Sequence, residues 1–361
     1  MNYQAMYRKW RPKNLKEIIG QEQIVLAISN SLSMRKIHHA WLFFGNRGIG
    51  KTSIARILVK NLNCEKKITN NPCEKCKNCQ DISKGKFLDL IEIDGASHTK
   101  VEDIKELLKY IQYPPIKGRF KIYLIDEVHM LSKHSFNALL KYLEEPPKYT
   151  KFILATTNLE KIPKTVLSRC LIFNLRPINE IKIYKKIIDI LKIEKISFEE
   201  KAIRNISKFS EGSLRDALCY VENAISIGNR NISNTVVNNM LGTLDEDYSI
   251  KIIICLLKNN AISLTKIINE ISEFGIEWEQ ILTSLLKILH YIFMSQSYPL
   301  IWKDQEFTAE QKKTLIKISN TTSPIKIQTL YNKITIGKKD IKLAPTKKTS
   351  VEMTLLSIIL C

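Results

Sequence analysis

No run of about 18 apolar residues occurs in the chain, so a membrane-spanning helix is not expected. The most apolar stretches, 252–257 and 281–292, are short or interrupted by Lys and His. Residues 1–12 are polar, aromatic and basic, without the apolar run and cleavage site of a secretory signal. The cysteines are not spread as a disulfide framework: four fall between Cys64 and Cys79, and Cys170, Cys219, Cys255 and Cys361 are scattered. Internal repeats and a low-complexity tail are also missing. These absences lead us to expect a soluble, cytoplasmic protein with no membrane partner.

What is present first is charge of one sign. Lys and Arg number 56 against 36 Asp and Glu, a formal net charge of +20. That balance fits a partner carrying phosphates. It fits equally the bias of an A+T-rich genome, because Lys far outnumbers Arg and both Ile and Asn are abundant. A length of 361 residues suggests two or three domains. In the first half, apolar runs at 41–44, 88–93, 122–125, 152–155 and 171–175 alternate with helical patterns at 54–58, 101–111 and 136–143. The run at 122–125 is apolar throughout, as in a strand buried on both faces. This alternation predicts an α/β domain over 1–177, a parallel sheet covered by helices. After Pro177 the pattern is amphipathic and helical. Breaks at 228–234 and at Gly242 divide it into a small helical domain, 178–242, and an all-α domain, 243–361.

Gly45-Asn46-Arg47-Gly48-Ile49-Gly50-Lys51-Thr52 fits G-x-x-x-x-G-K-[ST], after a predicted strand and opening a predicted helix. The glycines let backbone N–H groups curl around a phosphate, and the helix N-terminus faces the same anion. Lys51 is expected on the β- and γ-phosphates, and Thr52 on Mg²⁺. Downstream, the strand at 122–125 ends in Asp126 and Glu127. At the C-terminal edge of a doubly wound sheet such carboxylates face the ligand crevice. Asp126 is expected to support Mg²⁺, and Glu127 to orient and deprotonate an attacking water. A solvated turn can carry the same pair, and the phosphate loop upstream favours the catalytic reading.

Cys64, Cys73, Cys76 and Cys79 form a compact set with two successive C-x-x-C steps, and Asn71, Pro72 and Asn78 supply turns. Four soft thiolates suit a structural, tetrahedral Zn²⁺. An iron–sulfur cluster and a redox dithiol are the other chemistries open to them. Thr156, Thr157 and Asn158 end the fourth strand with groups able to reach a γ-phosphate or a water. Ser168-Arg169-Cys170 precedes the fifth strand, and Gly212-Ser213-Leu214-Arg215-Asp216-Ala217 lies in the small helical domain. Taken alone, each arginine reads as a surface residue. His38, His39, His129 and His134 lack metal-ligand spacing and read as structural, and Trp10 and Trp41 as packing residues.

Together these motifs resemble those of the AAA+ ATPases, and specifically the bacterial clamp-loader gamma/tau family of DNA polymerase III. The resemblance covers essentially the whole chain. It is carried by Tyr7-Arg8-Lys9-Trp10-Arg11-Pro12, Ile18-Ile19-Gly20-Gln21-Glu22, the phosphate loop, the four cysteines, Asp126-Glu127-Val128-His129-Met130, Ser168-Arg169-Cys170 and Gly212-Ser213-Leu214-Arg215-Asp216. The cysteine cluster is the sharpest marker, since most AAA+ families lack it.

The resemblance implies a P-loop AAA+ domain with a zinc-binding insertion at 64–79, a helical lid and an oligomerising collar. The implied cofactors are ATP, Mg²⁺ and Zn²⁺. Asp126 and Glu127 take the Walker B positions, Thr157 sensor 1, and Arg215 sensor 2, which reaches ATP in its own subunit. Arg169 takes the place of an arginine finger acting on the neighbouring subunit's ATP. The opening segment is expected near adenine. The implied function is a motor that opens a sliding clamp and loads it on primed DNA, within a hetero-pentamer of clamp-loader subunits. It would act as an ATPase inside the DNA polymerase III holoenzyme, a DNA-directed DNA polymerase and therefore a transferase. The chain resembles the family's short, gamma-like form. Two other readings remain: a branch-migration or remodelling ring, opposed by the cysteine cluster, and a zinc-stabilised nucleic-acid adaptor, opposed by the intact Gly50-Lys51-Thr52.

Overall fold

The computed structural model describes residues 4–97, 108–242, 246–273, 277–298 and 307–360. Most of the helix expected at 101–111 therefore lies outside the described residues. The chain divides into two compact units, Met1–Asn231 and Ile232–Cys361.

The first unit is built on β1 (Ala40–Phe44), β2 (Leu90–Asp94), β3 (Lys121–Asp126), β4 (Thr150–Thr156) and β5 (Leu171–Asn174). All pair in parallel, in the order β2-β3-β4-β1-β5. Burial follows position in that order. The inner strands are buried almost end to end, and the edge strands are largely exposed or half-buried.

Alternation along each strand feeds two cores. Trp41 and Phe43 join Ile122, Leu124 and Ile153 on one face. Ala40 and Leu42 join Tyr123, Ile125, Phe152 and Leu154 on the other. Nine helices of this unit are described: α1 (Met6–Lys9), α2 (Glu22–Ser33), α3 (Lys51–Asn63), α4 (Lys77–Lys84), α5 (Lys133–Glu144), α6 (Lys164–Leu167), α7 (Glu180–Glu194), α8 (Glu200–Phe209) and α9 (Leu214–Ile227). Ile24, Ile28, Ile54 and Leu58 of α2 and α3 close the first face. Phe136, Leu139 and Leu143 of α5 close the second.

The helices α7 to α9 follow β5, and the starts of α7 and α9 are set by local capping. Asn179 accepts from the Ile181 N–H and Ser213 from the Asp216 N–H. The Gln21 amide donates to the Arg176 carbonyl at 2.7 Å and accepts from the Arg176 N–H at 3.3 Å, tying the end of the sheet to the entry of α2.

The second unit is helical: α10 (Asn234–Leu241), α11 (Glu246–Leu257), α12 (Ala261–Glu273), α13 (Trp278–Ser297), α14 (Ala309–Thr321), α15 (Pro324–Asp340) and α16 (Lys347–Leu360). α13 supplies Ile281, Leu282, Leu285, Ile288, Leu289 and Ile292 to one core shared with α11, α15 and α16. The break expected at Gly242 is the left-handed cap of α10.

Candidate functional site

Between β1 and α3 the chain turns through residues 45–50. Lys51 opens α3, and its nearly buried Nζ folds back to donate to the carbonyls of Gly45 (2.7 Å) and Asn46 (2.9 Å). Burial pulls its pKa down, and the nearby Glu127 and Asp126 carboxylates oppose that. Thr52 Oγ1 donates to Asp126 Oδ2 at 2.8 Å, so two hard oxygen ligands meet at one point. Glu127 follows in the left-handed region, φ 47°, where a residue with a side chain is strained. Its Oε2 accepts from the N–H (3.0 Å) and hydroxyl (2.9 Å) of Thr157, just past β4.

Lys51, Thr52, Asp126 and Glu127 line one cavity of about 410 Å³, together with Arg47, Asp94 and Arg215. A second cavity of about 430 Å³ shares Tyr7, Arg11, Gly48, Gly50 and Arg215 with it and adds the apolar Trp10, Pro12, Ile18, Ile19, Ile49 and Leu218. One polar and one apolar cavity side by side can take a phosphate chain and a flat base.

Gly48 is where the loop meets α9. Its φ is +76°, and a Cβ there would fall 1.9 Å from Ser213 Oγ. Only glycine permits that approach, which brings Arg215 beside the loop. The Arg215 guanidinium stands 5.0 Å from the centre of the Tyr7 ring. Arg8 lies 5.8 Å from the same centre, and its Nε donates to the Tyr7 hydroxyl at 3.2 Å.

Arg169 does not line either cavity. Its guanidinium pairs with Glu144 at 2.7 Å and donates to the Thr165 carbonyl at 2.7 Å. Two residues read from the sequence as structural or packing also stand beside the site. His129, read as structural, has Nδ1 3.2 Å from Glu127 Oε2, because the turn after β3 carries it back toward the site. Trp10, read as packing, lines the apolar cavity while its Nε1 donates to Glu194 at 2.9 Å. The signal for His129 was its place two residues beyond Glu127, which spacing rules do not flag.

The cysteines form a separate cluster. The four Sγ atoms of Cys64, Cys73, Cys76 and Cys79 all lie within 4.8 Å of one another. Cys64 caps α3, and Cys76 caps α4 by accepting from the Cys79 N–H at 3.4 Å. The N–H groups of Cys76 and Lys75 pull the Cys73 thiol down to about 6, while burial pushes Cys79 up. Arg119 clasps the Cys64 and Glu65 carbonyls. A tetrahedral ion with bonds of about 2.3 Å needs sulfurs about 3.8 Å apart, a small contraction of this set.

Three family profiles match successive parts of the chain. The "DNA polymerase III, delta subunit" profile matches residues 20–179, and the "DNA polymerase III clamp loader subunit, ATPase lid domain" profile matches 182–230. "DNA polymerase III subunits gamma and tau domain III" matches 232–361. DNA polymerase III subunit gamma of Buchnera aphidicola subsp. Acyrthosiphon pisum is 51% identical over 99% of both chains. The chain belongs to the DNA polymerase III gamma/tau family. Escherichia coli subunit tau is 48% identical over 99% of this gamma/tau chain and 55% of tau. In structure, the Thermotoga maritima RuvB Holliday junction branch migration motor matches 74% of the chain and 86% of its own, at a TM-score of 0.50 and 21% identity. That likeness concerns the fold alone: a parallel-sheet P-loop ATPase.

Proposed function

We propose that this gamma/tau chain is the ATP-driven motor of a clamp loader. It would bind and hydrolyse ATP to open a sliding clamp and load it on primed DNA. The observation that carries the reading is the meeting of Lys51, Thr52, Asp126, Glu127 and Arg215 around one cavity beside an apolar one.

The adenine fits the apolar cavity, against Trp10, Ile19 and Leu218. The loop N–H groups of 45–50 and the start of α3 take the phosphates. Lys51 exchanges two loop carbonyls for β- and γ-phosphate oxygens. Thr52 and Asp126 would hold Mg²⁺, whose charge screens that of the phosphates. Glu127, with one oxygen held by Thr157, keeps the other for the attacking water. Arg215 reaches the phosphates from α9, so the lid's position becomes sensitive to the nucleotide. Arg169 acts on the ATP of a neighbouring subunit, where it stabilises transition-state charge only in a correct assembly.

Clamp and DNA are gripped in the ATP state and released after hydrolysis, a switch that works through their different affinity for the two states. The assembly is a hetero-pentamer of clamp-loader subunits within the DNA polymerase III holoenzyme, and the polymerase, transferase class belongs to that whole. Cys64, Cys73, Cys76 and Cys79 hold a structural Zn²⁺. No described helix is long and apolar enough to cross a membrane, and we assign the protein to the cytoplasm.

The test mixes the full chain with its partner subunits and measures ATP hydrolysis with and without primed DNA and clamp. Strong stimulation by both, lost in Lys51→Ala, is the expected result. Turnover indifferent to the clamp sinks the loader reading and leaves a remodelling ATPase.

A further inference from the structure

Glu127 is held by more than Thr157. The chain leaves β3 through a 3-10 turn, Val128–Met130, closed by the Met130 N–H to the Glu127 carbonyl (2.9 Å) and the Leu131 N–H to the Val128 carbonyl (3.1 Å). The turn carries the His129 ring to the end of β4, where its side chain is only 11% exposed. There Nδ1 lies 3.1 Å from Thr156 Oγ1 and 3.2 Å from Glu127 Oε2.

The partners fix the state of the ring. The Thr156 hydroxyl gives its proton to the Asn158 carbonyl at 3.0 Å, so toward the ring it can only accept. The Glu127 carboxylate is an acceptor alone. Nδ1 therefore carries the hydrogen: it bonds Thr156 Oγ1 and faces Glu127 Oε2. Thr156 is itself fully buried, and the Asn158 N–H also donates to its Oγ1 at 3.1 Å.

Glu127 Oε2 thus accepts two hydrogen bonds from Thr157, its N–H and its hydroxyl, and His129 Nδ1 stands 3.2 Å from the same oxygen. Oε1 receives none among the described residues. A glutamate side chain has three rotatable bonds, and two donors from one residue leave it a swing about that contact. The His129 ring, on a different element, opposes the swing.

We propose that His129 is a positioning residue for ATP hydrolysis. Through Nδ1–H it locks one oxygen of Glu127 and so directs the other at the attacking water. This rests on the reading of Glu127 as the general base. A base displaced by about 1 Å costs on the order of a hundredfold in rate, so the lock matters for turnover and not for ATP binding.

The test uses the full chain assembled with its partner subunits, primed DNA and clamp. His129→Asn places an amide N–H near the position of Nδ1–H, and His129→Leu fills the space without a donor. His129→Leu is expected to lower kcat by roughly 10- to 100-fold with KM for ATP changed by less than about twofold. His129→Asn is expected to recover at least roughly a third of the wild-type kcat. Melting temperatures with and without ATP are recorded for both. Equal impairment of the two variants, with matching losses of melting temperature and ATP affinity, makes His129 a packing residue and overturns the proposal. So does a His129→Leu variant as fast as wild type or faster. Glu127→Gln is run alongside. If it turns over like wild type, the base assignment fails and the His129 proposal falls with it. If it is inactive while His129→Leu is unimpaired, the His129 proposal falls alone.

Discussion

Asp89 is wholly buried just before β2, and its carboxylate accepts three backbone N–H groups, from Ile116 (2.7 Å), Lys117 (2.7 Å) and Gly118 (2.6 Å). One side chain thus closes the turn that leads into β3. Bonds to an ionised acceptor contribute about 1.5–3 kcal/mol each, and Asp89→Ala leaves all three donors unpaired. That variant should lose about 3 kcal/mol or more of unfolding free energy, read as a lower urea midpoint at unchanged slope. A loss below about 1 kcal/mol means that water replaces the carboxylate. Glu194 makes a different kind of contact. The Lys9 ammonium (2.6 Å) holds its carboxyl below the usual range; burial opposes this, and the Trp10 indole N–H (2.9 Å) adds a smaller pull downward. A depressed carboxylate pKa contributes stability above the unfolded value, and that contribution is lost as pH falls through the folded value. The clasp of the opening segment onto α7 should therefore loosen in acid, below about pH 4, and not in base. Tryptophan fluorescence followed from pH 7 downward should show a transition in the wild type that is missing in Glu194→Gln. Identical curves would remove Glu194 from the account.

The crossing of α15 and α16 depends on a missing side chain. A Cβ at Gly337 would lie 2.2 Å from Thr354 Cγ2 and 2.3 Å from Thr354 Oγ1. Thr354 has little room to turn: it is β-branched, and its hydroxyl donates to the Ser350 carbonyl at 2.7 Å. Alanine is the better helix former by about 1 kcal/mol, so the two effects oppose each other. Overpacking costs about 1–3 kcal/mol and should win, giving Gly337→Ala a lower melting temperature by circular dichroism. A higher one would show that Thr354 finds another rotamer. Contacts of this kind were not legible in the sequence, whereas the strands were. Apolar runs at 122–125 and 152–155 stand out because β3 and β4 are buried on both faces. The place of β1 between β4 and β5 was hidden, since crossover connections and not local pattern decide strand order. The phosphate loop was readable because its function sits in eight consecutive residues. His129 was not, because its contact needs both the turn after β3 and the arrival of β4. The approach of Arg215 to Gly48 was likewise out of reach of spacing, since it joins residues far apart in the chain.

Two properties belong to the molecule as a whole. The cysteine module is inserted between α3 and β2, and none of its four cysteines lines either cavity. Elemental analysis of protein purified under reducing conditions should give about one zinc per chain, as a closed four-thiolate site implies. Iron, or no metal, would remove that assignment. The second property is the location of Arg169. Every residue lining the two cavities comes from the first unit, and Arg169 is not one of them. Its partner Glu144 is about half exposed, and such surface pairs contribute about 0–1 kcal/mol. Among the described residues only this pair and hydrogen bonds to Thr165 and Ser168 hold the guanidinium, so the proposed transfer to a neighbour's γ-phosphate would break few contacts. Arg169→Ala should therefore leave the ATP affinity of the isolated chain within about twofold, while turnover of the assembled complex falls about 10³-fold or more. Lys51→Ala, by contrast, should weaken ATP binding by the isolated chain itself. Weaker ATP binding by isolated Arg169→Ala would put this arginine on its own nucleotide. Unchanged turnover in a complex that still assembles would deny it any part in hydrolysis. The predicted pattern, intact affinity with lost turnover at an arginine outside both cavities of its own chain, is the one expected of a site completed by a second chain, which would tie hydrolysis to correct assembly.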